Sequence, residues 1–190
     1  MLPAEINIRV NQAVLEHAAI PNQPGRAADM FIILMGVAGS GKTTIGQLLA
    51  HQLKGPFYDG DDYHSSANVA KMASGIPLDD DDRAAWLASL AEVIRDGLER
   101  GENGVIACSA LKETYRNVLC VDPVRVKFFY LKGDYDTLLE RMWSRGEHYM
   151  KPAMLQSQFA ALEEPADMPW LDVKLEPAEI VRRIMEHITT

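Results

Sequence analysis

Short apolar runs alternate with longer segments of helical periodicity from Met30 to the end of the chain. Five of these runs are too short to form helices, and we predict strands at residues 30–35, 56–59, 104–108, 124–131 and 170–175. Strands that alternate with helices are typical of βαβ units, which build a mostly parallel sheet. The pattern therefore predicts an α/β fold.

Apolar residues at helical spacing lie between the predicted strands. Two helices should pack on the sheet through such residues, the first through Ile45, Leu48, Leu49 and Leu53 and the second through Leu87, Leu90, Ala91, Ile94 and Leu98. Asp134 can cap a further helix that runs to about residue 145. Pro177, at a first helical position, should begin a final helix whose apolar face is Ile180, Val181, Ile184 and Ile188.

Length and composition indicate one globular domain. The chain has 190 residues, of which 47% are hydrophobic and 24% charged, the usage of an ordinary folded domain. We predict a single domain over residues 30–190. Residues 1–29 end in the breaker cluster Pro21-Asn22-Gln23-Pro24-Gly25, and we interpret them as an extension of uncertain structure, either a partner contact or an appendage without a role.

The charge balance limits the partners that the chain can have. Nineteen Lys and Arg against 27 Asp and Glu leave a net charge of −8, which should repel nucleic acid and acidic membranes. Two cysteines cannot build a disulfide framework, and the first twenty residues lack the apolar stretch of a signal peptide or membrane span. We therefore expect a cytoplasmic protein whose positive charge is focused locally if its ligands are anions.

A glycine-rich turn follows the first predicted strand and precedes the first predicted helix. It fits the pattern G-x-x-x-x-G-K-[ST] at Gly36, Gly41, Lys42 and Thr43. Glycines allow such a loop to turn tightly and aim backbone N–H groups at phosphate oxygens, and the helix adds its positive N-terminal end. The predicted ATP-binding residues are Gly36, Val37, Ala38, Gly39, Ser40, Gly41, Lys42, Thr43 and Thr44.

Two residues of this loop have individual predicted roles. Lys42 should place a charge against the β- and γ-phosphates, as a catalytic residue, and the Thr43 hydroxyl should be a ligand of Mg²⁺. The competing interpretation is a glycine turn that happens to precede a lysine, which the flanking strand and helix disfavour. Switch proteins and motors share the loop, so the function depends on the site of the second substrate.

Two acids close the second predicted strand. Asp59 and Asp61 are two residues apart, so in an extended chain both carboxylates lie on one side. We predict that Asp59 helps to hold the metal and that Asp61 is the base that accepts a proton from an attacking hydroxyl. The alternative is a polar turn in which Asp and Gly are present for their turn conformations.

Several separated motifs resemble the gluconate kinase (gluconokinase) family. They are MGVAGSGKTT, DGDDYHSSANVAKMASGIPLDDDDRAAWL, CSALKETYR, YLKGDYD and SQFAALEEP, in this order over about residues 30–190. The resemblance implies ATP-dependent phosphorylation of the C6 hydroxyl of D-gluconate to 6-phosphogluconate. It also implies a three-layer, shikimate-kinase-like P-loop kinase fold with a five-stranded parallel sheet of order 2-3-1-4-5, helices on both faces and a helical lid.

The family's motif positions fall on residues of the expected type: Asp59, Asp61, His64, Asn68, Lys71, Arg83, Ser109, Lys112 and Arg116. Among these, the resemblance implies that Asp61, His64, Lys71, Arg83, Lys112 and Arg116 bind the substrate. Arg83 can bind a carboxylate through its forked donors, and Lys112 and Arg116 are four apart, which would place them on one helical face. A solvated or capping side chain is the alternative for His64.

A lid is predicted at about residues 141–165. Arg141 and Arg145 are four apart, and His148 and Lys151 follow. Closure would bring Arg145 to the transferring phosphoryl group, Arg141 to ATP and His148 to the substrate, and would exclude water. A solvated helix face is the alternative. Gly146-Glu147 departs from the Lys-Gly that we associate with the family, so one lid cation is missing.

The predicted function is therefore that of a gluconate kinase that uses ATP and Mg²⁺, with a homodimer suggested by family resemblance alone. Two alternatives stay open at this stage. One is a P-loop kinase of another small acceptor, such as shikimate or a nucleoside monophosphate. The other is a regulatory protein that binds ATP without turnover, which the altered lid makes conceivable.

Overall fold

The computed structural model describes residues 29–144 and 152–189. Five strands form one sheet: β1 Phe31–Met35, β2 Phe57–Asp59, β3 Gly104–Ala107, β4 Val126–Lys132 and β5 Trp170–Asp172. Seven α-helices accompany them in the described ranges: α1 Lys42–Leu53, α2 Ser66–Ala73, α3 Asp80–Glu99, α4 Glu113–Leu119, α5 Tyr135–Ser144, α6 Pro152–Ala161 and α7 Pro177–Thr189. A 3₁₀ turn at Gly60–Tyr63 follows β2 directly.

The sheet is parallel and has the order β2-β3-β1-β4-β5, which confirms the predicted topology. Strand β1 lies at its centre and is buried along its whole length. It pairs with β3 from Phe31 opposite Gly104 and with β4 from Phe31 opposite Val126. Because all five strands run the same way, their carboxyl ends meet at one edge, where ligands bind in open α/β sheets.

Apolar layers cover both faces of the sheet. On one face, α1, α5, α6 and α7 pack against β1 and β4, with Leu49, Leu138, Leu155 and Ile184 fully buried. On the other face, α3 and α4 pack through residues that include Leu90, Ile94 and Leu119. Burial on both sides explains why the central strands have continuous apolar runs rather than alternating ones.

The predicted apolar faces are confirmed with one exception. All five α3 residues lie in the core, as do Ile45 and Leu49 of α1 and Ile180, Val181 and Ile184 of α7. Leu53 and Ile188 are half-buried and pack against the core, whereas Leu48 is 45% exposed. A helix face that packs on a sheet covers only part of its circumference, and Leu48 lies beside that stripe. Asp134 caps α5 as predicted, because its carboxylate accepts the Thr137 N–H at 2.8 Å.

One helix, α2, was not predicted. Helix α2 has eight residues, and Ser65 caps it by accepting the Asn68 N–H at 3.2 Å. Helix α6 begins at Pro152, within the segment that we predicted as a lid. Among the described residues, no helix is both long enough and apolar enough to span a membrane. Residues 1–28, most of the predicted extension, lie outside the described residues.

Candidate active site

The loop between β1 and α1 has the backbone shape that its glycines predict. Gly36, Gly39 and Gly41 have φ of 145°, 77° and 90°, a region that other residues rarely enter. A Cβ on Gly36 would also come within 2.8 Å of the Leu131 carbonyl oxygen. The loop therefore depends on glycine for both conformation and space, and it lies at the carboxyl end of the central strand.

Lys42, the first residue of α1, lies beneath this loop. Its Nζ donates to the carbonyl oxygens of Gly36 at 2.9 Å and Val37 at 3.0 Å, so its ammonium is held at the inner side of the loop. Burial lowers the pKa of Lys42, and the negative charge of Asp61 opposes that shift. The acid is therefore close enough for its charge to act on the lysine ammonium.

The acids after β2 meet the phosphate loop. Thr43 Oγ1 donates to Asp59 Oδ2 at 3.0 Å, and Asp59 Oδ1 accepts the backbone N–H of Asp61 at 3.2 Å. One carboxylate thus joins the loop to the turn that carries Asp61. The Asp61 side chain is 83% exposed and open to an incoming acceptor. These predicted residues are brought together at the carboxyl edge of the sheet.

His64 lies beside Asp61 and is buried. Its side chain is only 5% exposed, and its Nε2 is 3.9 Å from Asp61 Oδ1. The ring stacks on Trp86, with centroids 4.3 Å apart, and Trp86 Nε1 donates to the Gly60 carbonyl at 2.6 Å. Burial lowers the pKa of His64, against the opposing charge of Asp61. Trp86 therefore fixes both the backbone before Asp61 and the imidazole next to it.

A cluster of charged side chains lies where α3 begins, next to α4. Lys112 Nζ is 2.8 Å from both carboxylate oxygens of Asp80, and the Tyr115 hydroxyl also donates to Asp80. Arg83 Nη1 is 3.4 Å from the Tyr115 oxygen and 4.0 Å from Asp80. Two cations and one carboxylate give this acceptor cluster (Asp80, Arg83, Lys112 and Tyr115) a net charge of +1.

An open cavity of about 600 Å³ adjoins the acceptor cluster. It is lined by Asp79, Asp80, Asp81, Arg83 and Lys112 on one side and by Ser157 and Ala161 of α6 on the other. The volume is that of a small-molecule site. Arg83 and Lys112 bring two cations to this accessible pocket, but with three aspartates its lining has a formal charge of −1, so the expected local excess of positive charge is not found there.

Three other predicted site residues have contacts elsewhere. Lys71 Nζ pairs with Asp82 at 2.6 Å, and the buried Arg116 donates to the carbonyls of Ala110 and Leu111 at 3.2 and 3.0 Å. Arg141 Nη2 donates to the Val173 carbonyl at 2.6 Å, just after β5. Lys71 therefore pairs with a carboxylate, and Arg116 and Arg141 hold backbone carbonyls.

The prediction that Lys112 and Arg116 share one helical face is wrong. Helix α4 begins at Glu113, so Lys112 precedes it with extended backbone angles of −96° and 150°. Its side chain reaches Asp80, whereas Arg116 turns back to the loop before α4. That loop contains Ala110 at a φ of 42°, and the two carbonyl contacts of Arg116 help to hold this strained turn.

The predicted lid residues Arg145, His148 and Lys151 lie outside the described residues, as do Gly146 and Glu147. Only the elements on either side of them are described, α5 up to Ser144 and α6 from Pro152. The roles that we predicted for Arg145 and His148 stay predictions.

Sequence reasoning missed three groups that the fold brings to the site. Asp80 was assigned no role in the site; it lies in the acidic first turn of α3, where Asp79 and Asp82 form the capping box. Tyr115 lies inside the CSALKETYR motif but had no assigned role. Gln158, in the SQFAALEEP motif, accepts the Ala38 N–H of the phosphate loop at 2.7 Å across 120 residues of sequence. The motifs contained these residues, but only the tertiary contacts identify what they do.

The residues of the site suit magnesium bound together with phosphate. Within the described ranges, no three His, Cys, Asp or Glu side chains converge as a metal cage. Mg²⁺ commonly takes only one or two protein oxygens and fills its other positions with phosphate and water. The Thr43 hydroxyl and the Asp59 carboxylate are oxygen donors of this kind, 3.0 Å apart.

Comparisons with known proteins agree with this geometry. The shikimate kinase family model matches residues 38–189. A thermosensitive gluconokinase of Escherichia coli is 42% identical over 160 residues, 82% of this chain and 86% of that protein. A probable gluconokinase of Mus musculus is 40% identical over 175 residues, 82% of this chain and 95% of that protein. The crystal structure of a gluconokinase from Sinorhizobium meliloti 1021 superposes with a TM-score of 0.78 at 39% identity, covering 86% of this chain and 94% of that one.

Proposed function

Because this chain belongs to the gluconokinase family of shikimate-kinase-like P-loop kinases, we propose that it transfers the γ-phosphoryl group of ATP to the C6 hydroxyl of D-gluconate. The products are 6-phospho-D-gluconate and ADP. The observation that carries this proposal is the 3.0 Å contact from Thr43 Oγ1 to Asp59 Oδ2. It joins the phosphate loop to the acid pair, as transfer to an alcohol requires.

The triphosphate lies in the loop from Gly36 to Thr44. Backbone N–H groups and the start of α1 stabilise its negative charge, and Lys42 adds a cation from beneath. Magnesium, held by Thr43 and Asp59, would supply further charge neutralisation on the phosphates. Arg141, which donates to the Val173 carbonyl just after β5, contributes to nucleotide binding in this proposal.

Asp61 is the base in this proposal. Its exposed carboxylate takes the proton of the C6 hydroxyl as the hydroxyl oxygen forms its bond to the γ-phosphorus. The bond from that phosphorus to the bridging oxygen breaks, and the electron pair leaves with ADP. Asp59 holds the backbone of Asp61 at 3.2 Å, so the base has a fixed position even though its side chain is accessible.

The acceptor cluster binds the carboxylate of the substrate. Arg83 and Lys112 are its two cations, and each can donate hydrogen bonds to the carboxylate of gluconate. His64, buried beside Asp61, provides a neutral donor or acceptor for sugar hydroxyls. Lys71 and Arg116 contribute to substrate binding indirectly, because they hold Asp82 and the Leu111 backbone, whose sequence neighbours line the pocket.

The remaining features of the proposal concern the chain as a whole. Residues 30–190 act as one kinase domain, with residues 1–29 as an extension and about 141–165 as a lid. On closing, the lid brings Arg145 to the phosphoryl group and His148 to the substrate. The enzyme works in the cytoplasm on ATP and gluconate, without nucleic acid or membrane, and as a homodimer.

An acceptor screen tests the proposal. Purified protein with ATP and Mg²⁺ is offered gluconate, shikimate and nucleoside monophosphates in turn, and ADP release is measured with a coupled assay. Gluconate should give saturable ADP release and a product phosphorylated at C6. Turnover of shikimate but not gluconate would instead favour a kinase of another acceptor, and nucleotide binding without turnover of any acceptor would favour a regulatory protein.

A further inference from the structure

One peptide unit of the phosphate loop is held on both of its edges. The Val37 carbonyl accepts from Lys42 Nζ at 3.0 Å, and the Ala38 N–H donates to Gln158 Oε1 at 2.7 Å. The C=O and N–H of a trans peptide point in opposite directions. Lys42 therefore contacts this peptide from one side and Gln158 from the other.

Gln158 is carried by a well-anchored helix. Its helix, α6, buries Leu155 completely in the core between the sheet and α1, α5 and α7. The phosphate loop also packs against α5, since a Cβ on Gly39 would lie 3.0 Å from Met142 Cγ and 3.2 Å from the Leu138 carbonyl oxygen. The tip of the loop thus rests between two helices, and Gln158 provides a polar contact from the second of them.

We propose that Gln158 is a positioning residue for nucleotide binding. It fixes the orientation of the Val37–Ala38 peptide, and through the Val37 carbonyl it fixes the ammonium of Lys42. Without an acceptor at position 158, the Ala38 N–H loses its partner and the peptide is free to rotate about its flanking bonds. Rotation moves the Val37 carbonyl away from Lys42, so the lysine loses one of its two backbone anchors.

This inference rests on the proposed function only in requiring that the loop bind ATP. It predicts a change in nucleotide affinity, which is measured separately from gluconate turnover. A glutamine that merely fills space would affect the melting temperature without singling out the nucleotide. A glutamine that positions Lys42 affects nucleotide affinity while the KM for gluconate stays the same. The two roles are therefore separated by which ligand is affected.

The experiment measures binding of Mg²⁺ with a non-hydrolysable ATP analogue by calorimetry, together with the melting temperature and the KM for gluconate. Gln158→Leu removes the acceptor and should weaken nucleotide binding on the order of tenfold, since a lost hydrogen bond is of that size. Gln156→Leu, at an exposed glutamine on the same helix, is the matched control and should bind as the native chain does. Gln158→Glu keeps an acceptor but adds a charge near the phosphates.

The glutamate variant keeps the inference testable if Gln158→Leu does not fold. In about 0.5 M salt, where added charge is screened, Gln158→Glu should bind the analogue within about threefold of the native chain in the same salt. Unchanged nucleotide affinity in Gln158→Leu would overturn the inference. So would a rise in the KM for gluconate that matches the loss of nucleotide affinity. A nucleotide affinity of Gln158→Glu as poor as that of Gln158→Leu would also overturn it. A native chain that does not bind the analogue would instead overturn the proposed function.

Discussion

Replacing Asp61 with Asn removes the proposed base and changes little else. The side chain is 83% exposed, so the loss of its charge should have little effect on folding. The backbone N–H that Asp59 accepts at 3.2 Å is present in both residues, and Asn has nearly the same size. What is lost is a carboxylate that can take the proton of the acceptor hydroxyl.

The expected effect is a fall in kcat with a nearly unchanged ATP affinity. General-base catalysis contributes roughly 10²- to 10⁴-fold, which at about 1.36 kcal/mol per tenfold is about 2.7–5.4 kcal/mol of transition-state stabilisation. The KM for gluconate should rise only a few fold, because the amide still offers a hydrogen-bond partner to the hydroxyl. Asp61→Asn should therefore bind both substrates and turn over slowly.

The assay is steady-state ADP release with gluconate, and Asp62→Asn is the matched control. Asp62 is the adjacent residue, exposed and of the same type, so its variant should retain native kcat. Melting curves of both variants check that folding is intact. A kcat for Asp61→Asn within about threefold of the native value would refute the assignment of the base, since a base that contributes to proton transfer cannot be removed at so small a cost.

Three further predictions concern the surroundings of this base. Trp86→Phe removes the donor to the buried Gly60 carbonyl, so it should cost about 1–3 kcal/mol and lower the melting temperature by several degrees; an unchanged value would show that the bond is dispensable. Burial lowers the pKa of His64 below its ordinary 6.5, so the unfolded chain binds more protons in the window just below pH 6.5, and stability should fall as the pH drops through it. When the melting temperature is plotted against pH, His64→Gln should flatten the curve in this window. Equal slopes for the native chain and the variant would contradict the reasoning. Lys112→Met should raise the KM for gluconate roughly tenfold and leave the KM for ATP unchanged. The control Lys54→Met, at an exposed lysine, should change neither KM. Equal effects of the two variants on the KM for gluconate would exclude a specific role for Lys112.

The central part of the fold could be predicted from local patterns. The strand β1, the glycine loop and α1 are consecutive in sequence, and each follows from rules that operate over a few residues, namely apolar runs, left-handed glycines and helical spacing. For the same reason Lys42 and Thr43 were placed correctly at the end of the loop. Asp59 also meets the loop as predicted, but Asp61 lies in a 3₁₀ turn and not in the extended chain from which its position was inferred. The topology came from the resemblance, because the order of parallel strands depends on crossovers that no single segment encodes.

The acceptor side depended on contacts between distant segments. Asp80 is one of several acids at the start of α3. Only the approach of Lys112, just before α4, and of Tyr115 in α4, more than thirty residues away, makes it the centre of a charged cluster. Arg116 seemed to be a second substrate cation until the start of α4 one residue after Lys112 turned the two side chains apart. A shift of one residue in a helix boundary is beyond sequence patterns, yet it decides where a side chain points.

The sequence by itself determined the phosphate loop with its lysine and its metal-side hydroxyl, because their geometry is imposed by the backbone within a short stretch of chain. The tertiary structure decided which cations face the acceptor pocket and which support the backbone. It also decided that Gln158 reaches the loop across 120 residues. Such contacts arise when the sheet brings remote segments to one edge, and the energy of each depends on distances that only the packed fold sets.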